Sequence, residues 1–105
     1  MTDRKMTVLH SVLVEEEVQF TLVELTQACQ ADIDEVVALV EEGVLTPSGG
    51  EARDWRFAGG TLTRARAALR LTRDLEMNTA GTAMVLDLLD QIEALRAKLR
   101  RLGAL

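Results

Sequence analysis

The segment TLVELTQACQADIDEVVALVEEGVL, residues 21–45, decides how the rest of the chain is read. It holds two helix starts of the same design. Thr21-Leu22-Val23-Glu24 is a capping box, in which the Thr21 hydroxyl caps the helix and Glu24 reaches back to the Thr21 N–H. Phe20 and Leu25 fall at the positions of a hydrophobic staple across that start. Asp32-Ile33-Asp34-Glu35 repeats the device, with Ala31 and Val36 as the staple. The first helix is expected from about Leu22 to Cys29, with Leu22, Leu25, Ala28 and Cys29 on one face. The second runs to Glu42, and Gly43 is a natural left-handed stop. Ile33, Val36, Val37, Val40 and then Val44 lie on one side of it; Asp34, Glu35, Ala38, Glu41 and Glu42 lie on the other. Leu39 falls between the two faces and is read as an exposed position. Two short helices joined by a few residues form a helix-turn-helix.

Downstream, Val44-Leu45-Thr46-Pro47 leaves the second helix in extended form, and Ser48-Gly49-Gly50 is turn chemistry. Asp54-Trp55-Arg56-Phe57 reads as a returning strand, which makes a small β-hairpin wing. Gly59-Gly60 breaks the chain again. Thr61 is then a candidate cap for a third helix carrying Leu62, Ala65, Leu69, Leu71 (or Thr72) and Leu75 inward, with Arg64, Arg66, Arg70 and Arg73 mainly on other faces. The last helix is long, from Asn78 to Leu102, and Gly103 ends it. Its Val85, Leu88, Ile92, Leu95, Leu99 and Leu102 alternate three- and four-residue spacings, which is a heptad seam. The chain has no second long helix to cover that seam, so the expected cover is a second copy. Upstream, Met6 to Gln19 is expected to be an arm or short strand. The organisation is therefore an arm at 1–19, a winged helix-turn-helix domain at 20–76 and a coiled-coil-like dimerisation helix at 77–105.

A chain of 105 residues with 48% apolar content can bury one core, and with one Trp, two Phe and no Tyr that core must be aliphatic. No apolar run approaches the roughly 18 residues of a membrane span. The opening residues lack a cleavage-site pattern, so no signal peptide is expected. A lone Cys29 excludes an intramolecular disulfide and fits a cytoplasmic protein. Charge is unevenly placed. Between Glu15 and Asp54 stand eleven acids (Glu15, Glu16, Glu17, Glu24, Asp32, Asp34, Glu35, Glu41, Glu42, Glu51 and Asp54) against Arg53 alone. From Trp55 onward nine bases face five acids (Asp74, Glu76, Asp87, Asp90 and Glu93).

Catalysis and metal chemistry find little support. His10 and Cys29 are single and far apart in sequence, so no His/Cys ligand set is formed. Gly49-Gly50 and Gly59-Gly60 lack the Lys-Ser/Thr that completes a phosphate loop. The expectation is a protein that is not an enzyme and carries no metal and no cofactor.

The order of these elements resembles the winged helix-turn-helix of the MerR family. The resemblance is closer to the CbpM chaperone modulators, which keep that scaffold. It rests on Phe20-Thr21 with Glu24-Leu25, Gly43-Val44 followed by Pro47, Trp55 and Phe57 in the wing, Leu69-Arg70-Leu71 followed by Asp74-Leu75, and Val85 to Leu95. It covers roughly Phe20 to Leu102. The resemblance implies a mainly α fold and a homodimer. It also implies a role in binding the J-domain of a CbpA-type DnaJ-like co-chaperone, inhibiting its co-chaperone and DNA-binding activities. The alternative is a MerR-type DNA-binding transcriptional regulator, using Arg53, Arg56 and the arginines of the third helix.

The second helix discriminates between these readings. DNA affinity comes from Lys and Arg neutralising phosphates, yet this helix carries Asp34, Glu35, Glu41 and Glu42 and no base. MerR regulators typically place an Arg-Tyr-Tyr run there; the matching positions are Val37, Ala38 and Leu39. At about 1 kcal/mol for each carboxylate held ~4 Å from a phosphate in water, four acids offset several phosphate contacts. The same acids suit a basic protein surface such as the second helix of a J-domain, where they speed association and select the partner. Apolar anchors supply affinity, and Leu39 and Trp55 are the candidates. The expected partner surface is Asp34, Glu35, Leu39, Glu41, Glu42 and Trp55. The expected dimer interface is Val85, Leu88, Ile92, Leu95, Leu99 and Leu102.

Overall fold

In a computed structural model that describes residues 18–104, those residues form four α-helices and one minimal sheet. The order is β1 (Gln19–Phe20), α1 (Leu22–Ala28), α2 (Ile33–Glu41), a 3-10 turn (Ala52–Asp54), β2 (Phe57–Ala58), α3 (Thr61–Asp74) and α4 (Thr79–Arg101). The expected arm before Val18, with His10 and the Glu15–Glu17 run, lies outside the described residues.

Both helix starts form as their sequences direct. The Thr21 N–H donates to Glu24 Oε1 at 2.9 Å and the Glu24 N–H to Thr21 Oγ1 at 3.1 Å. Glu35 Oε1 likewise accepts from the Asp32 N–H at 3.0 Å. At the far end of α2, Gly43 takes φ +76°, where a side chain is strained. The Gly43 and Val44 amides then donate to Val40 and Leu39 carbonyls at 3.0 and 2.9 Å, closing a Schellman turn. That turn folds Val44 and Leu45 back onto α2, and both are buried.

The wing keeps the expected antiparallel closure in a reduced form. Val44 and Leu45 are absorbed into the core, so the loop is closed by a single bridge, with Ser48 and Arg56 exchanging backbone bonds at 2.9 and 3.0 Å. Asp54 and Trp55 lie in or beside a 3-10 turn, and only Phe57 and Ala58 form a strand. Its partner is the segment ahead of α1: Phe57 faces Phe20 and Ala58 faces Gln19, antiparallel. Gly49 is required inside the wing, because a Cβ there would sit 2.6 Å from the Asp54 carbonyl oxygen.

The core is aliphatic around one ring. Phe57, Leu25, Leu39, Leu45 and Val36 are fully buried, and Ala65, Ala68 and Leu69 of α3 pack against them. Small alanines on α3 let the helix approach closely. Gly60, with φ −61° and ψ −20°, is the residue that starts α3; Thr61 is its first helical residue and not the expected cap. Leu75, expected inward, is exposed past the end of α3. Asn78 caps α4, its Oδ1 accepting from the Gly81 N–H at 2.7 Å. The first two turns of α4 dock through Thr82 and Leu86; from Asp87 on, nearly every side chain is exposed.

Candidate functional site

The orientation of α2 follows from which residues it buries. Val36 and Leu39 point into the core. At 100° per residue the opposite face carries Asp34, Val37, Ala38 and Glu41, with Glu42 at its end. Asp34, Glu41 and Glu42 are exposed, and among the described residues none of them forms an ion pair. No basic residue stands on this helix. Ile33 is 47% exposed beside these acids, and Val37 is half-buried one turn on. This apolar pair lies outside the expected contact set. Its signal in the sequence is two branched side chains four residues apart, but the apolar spacing alone puts both on the buried side.

Two of the expected contact residues are used inside the domain. Leu39 is 1% exposed and belongs to the core. The Schellman turn decides this, since Val44 and Leu45 fold back over Leu39 and donate to its carbonyl oxygen. The buried stripe is thereby centred on Val36 and Leu39, and Ile33 rotates outward. Glu35 turns toward α3. The Arg73 guanidinium binds its carboxylate at 3.0 and 3.3 Å. That bond, and then the Asp32 N–H, hold the Glu35 carboxyl below the usual carboxylate range. Arg73 also donates to the Gln30 carbonyl oxygen at 3.1 Å, so it ties α3 to both ends of the turn between α1 and α2.

Trp55 is half-buried and packs edge-to-face on Phe57, with ring centroids 6.1 Å apart and an interplanar angle of 84°. It seats the wing on the core while keeping part of its ring at the surface.

The arginines of α3 are drawn into the domain to different degrees. Arg64 donates from Nε to the Val44 carbonyl oxygen at 2.7 Å and pairs with Asp90 of α4 at 3.1 Å. One guanidinium thus joins the end of α2, α3 and the point where α4 leaves the body. Burial pushes the Cys29 thiol up, against the opposing effect of Arg66 and Arg73.

The seam of α4 is laid out as its spacing directs. Val85 is half-buried where the helix docks, while Leu88, Ile92, Leu95, Leu99 and Leu102 are exposed along the projecting part. Leu89 is exposed beside them. Among the described residues no cluster of His, Cys, Asp or Glu suits a metal ion, and no helix is long and apolar enough to cross a membrane.

Comparison with known proteins agrees with this architecture. A family model described as MerR HTH family regulatory protein matches residues 20–103. Chaperone modulatory protein CbpM of Coxiella burnetii (strain Dugway 5J108-111) is 35% identical over 95 residues, covering 90% of this chain and 90% of the relative. CbpM of Pseudomonas putida (strain W619) is 35% identical over 81 residues, covering 77% of this chain and 80% of the relative. CbpM of Pseudomonas entomophila (strain L48) is 31% identical with the same coverage. The matched residues span the helix-turn-helix, its wing and the long terminal helix, and the chain belongs to the CbpM chaperone modulators of the MerR helix-turn-helix family.

Proposed function

We propose that this chaperone modulator binds the J-domain of a CbpA-type DnaJ-like co-chaperone in the cytoplasm and inhibits its co-chaperone and DNA-binding activities. One observation carries the reading: the outward face of α2 presents Asp34, Glu41 and Glu42 without ion-pair partners among the described residues and without a base. Such a face repels a phosphate backbone and attracts a basic helix. Ile33 and Val37 beside the acids, with half-buried Trp55, give a partner apolar ground to desolvate. Leu39 and Glu35 drop out of the contact set, because one is core and the other is held by Arg73.

The exposed seam from Leu88 to Leu102 is the dimer interface in this reading. Two copies would then carry two acidic faces on one scaffold. The DNA-binding alternative draws less support, since Arg64 and Arg73 are engaged inside the domain and Arg53 pairs with Glu51 at 3.0 Å. The test is titration of the protein with the J-domain and, separately, with duplex DNA, at low and physiological salt. Saturable binding to the J-domain that weakens with salt is expected. Binding to DNA with none to the J-domain would overturn the proposal.

A further inference from the structure

Arg66, Arg70 and Arg73 recur at four- and three-residue spacing along one face of α3, with Thr63 one turn earlier. This face and the end of α1 border an open cavity of about 430 Å³. Its floor is apolar, formed by the buried Leu69 and Cys29. Two of the guanidiniums are fixed at the rim by backbone bonds. Arg66 donates to the Ala28 carbonyl oxygen at 3.3 Å, and Arg73 to that of Gln30 at 3.1 Å. Arg73 is matched by Glu35. Among the described residues neither Arg66 nor Arg70 forms an ion pair, although Asp74 stands at the same rim. A protein of formal net charge −5 thus keeps two uncompensated guanidiniums over an apolar floor.

We propose that this cavity is a binding site for a small phosphate-bearing anion, separate from the acidic face of α2. Guanidinium groups present paired N–H donors that match phosphate oxygens, and Thr63 adds a hydroxyl donor. The volume falls in the range of small-molecule sites, roughly 300–1,000 Å³. A compact anion suits it better than a nucleic-acid backbone. The arginines lie along one face of α3 beside the end of α1, and the carboxylates of Asp74 at the rim and of Glu35, bound to Arg73, would repel an extended polyanion.

The experiment is an amide NMR titration of the full chain with pyrophosphate, against sodium chloride at matched ionic strength. Saturable shifts confined to Cys29–Gln30 and Thr63–Asp74 are expected. Arg70→Ala and Arg66→Ala should each weaken the apparent affinity by about tenfold or more, as expected for a lost hydrogen bond to a charged group, while Arg56→Ala leaves it unchanged. Arg70 is exposed and among the described residues forms no ion pair, so its variant decides the matter if Arg66→Ala unfolds. Shifts reproduced by chloride, or an affinity indifferent to Arg70→Ala, would overturn the proposal. So would duplex DNA that uses the same arginines and is not displaced by pyrophosphate.

Discussion

Leu39→Ala separates a core residue from a contact residue on the same helix. Leu39 is 1% exposed, lies in the cluster with Val36, Leu25 and Phe57, and sits under the turn that returns Val44 and Leu45. Truncating such a leucine removes its transfer free energy and leaves a cavity, together costing roughly 2–5 kcal/mol. A domain of this size has about 5–15 kcal/mol of total stability. With roughly 4–8 °C of Tm lost per kcal/mol, the midpoint should fall on the order of 10–30 °C. Val37→Ala, on the outward face and half-buried, should lose under about 1 kcal/mol. The assay is thermal unfolding followed by circular dichroism and calorimetry, paired with J-domain binding at a temperature where both variants are folded. Leu39→Ala should bind normally there, and Val37→Ala should bind more weakly. A Leu39→Ala protein with unchanged Tm and lost J-domain binding would refute the placement of Leu39 in the core.

The Glu35–Arg73 pair sets a pH dependence. The Glu35 carboxyl is depressed, so its stabilising contribution is complete above the unfolded carboxylate value of 4.5 and is lost as pH falls through the lower folded value. Arg73→Ala should therefore destabilise by under about 1 kcal/mol at neutral pH, with the difference from the parent shrinking below about pH 4.5 in urea titrations. Thr82 is fully buried and its hydroxyl has no hydrogen-bond partner among the described residues, so Thr82→Val, which keeps the shape, should raise stability by about 1 kcal/mol; calorimetry reads the sign. Under the proposed pairing of two copies, Ile92→Asp in the middle of the exposed seam should leave a monomer by sedimentation where the parent is a dimer, with the helix-turn-helix still folded.

How much of the fold is legible in the sequence depends on the range of the interaction. The capping boxes at Thr21–Glu24 and Asp32–Glu35 and the stop at Gly43 are local chemistry, and the helices follow them closely. The spacing from Val85 to Leu102 is also local, and it lays an apolar stripe along the free part of α4. The wing is legible in its antiparallel closure at Ser48 and Arg56 but not in its strand pairing, because Phe57 with Phe20 is a contact across two helices that no turn residue announces. Leu39 and Ile33 exchange their expected sides for a related reason. A nine-residue helix with apolar residues at Ile33, Val36, Val37, Leu39 and Val40 is apolar over nearly half its circumference. Only the return of Val44 and Leu45 fixes which stripe is buried. The engagement of Glu35 by Arg73, 38 residues away, and of Arg64 by Asp90, 26 residues away, is likewise a product of the tertiary fold.

An acidic partner surface on α2 is the centre of the functional proposal, and charge reversal tests it most directly. Glu41 and Glu42 are exposed and have no partner to lose among the described residues, so Glu41→Lys with Glu42→Lys should leave the Tm nearly unchanged. The measurement is J-domain affinity of this double variant by isothermal titration calorimetry at physiological salt. A loss of at least about tenfold is expected, from repulsion of a basic partner surface. An affinity equal to that of the parent would contradict the proposal and leave the acids as a solvated face.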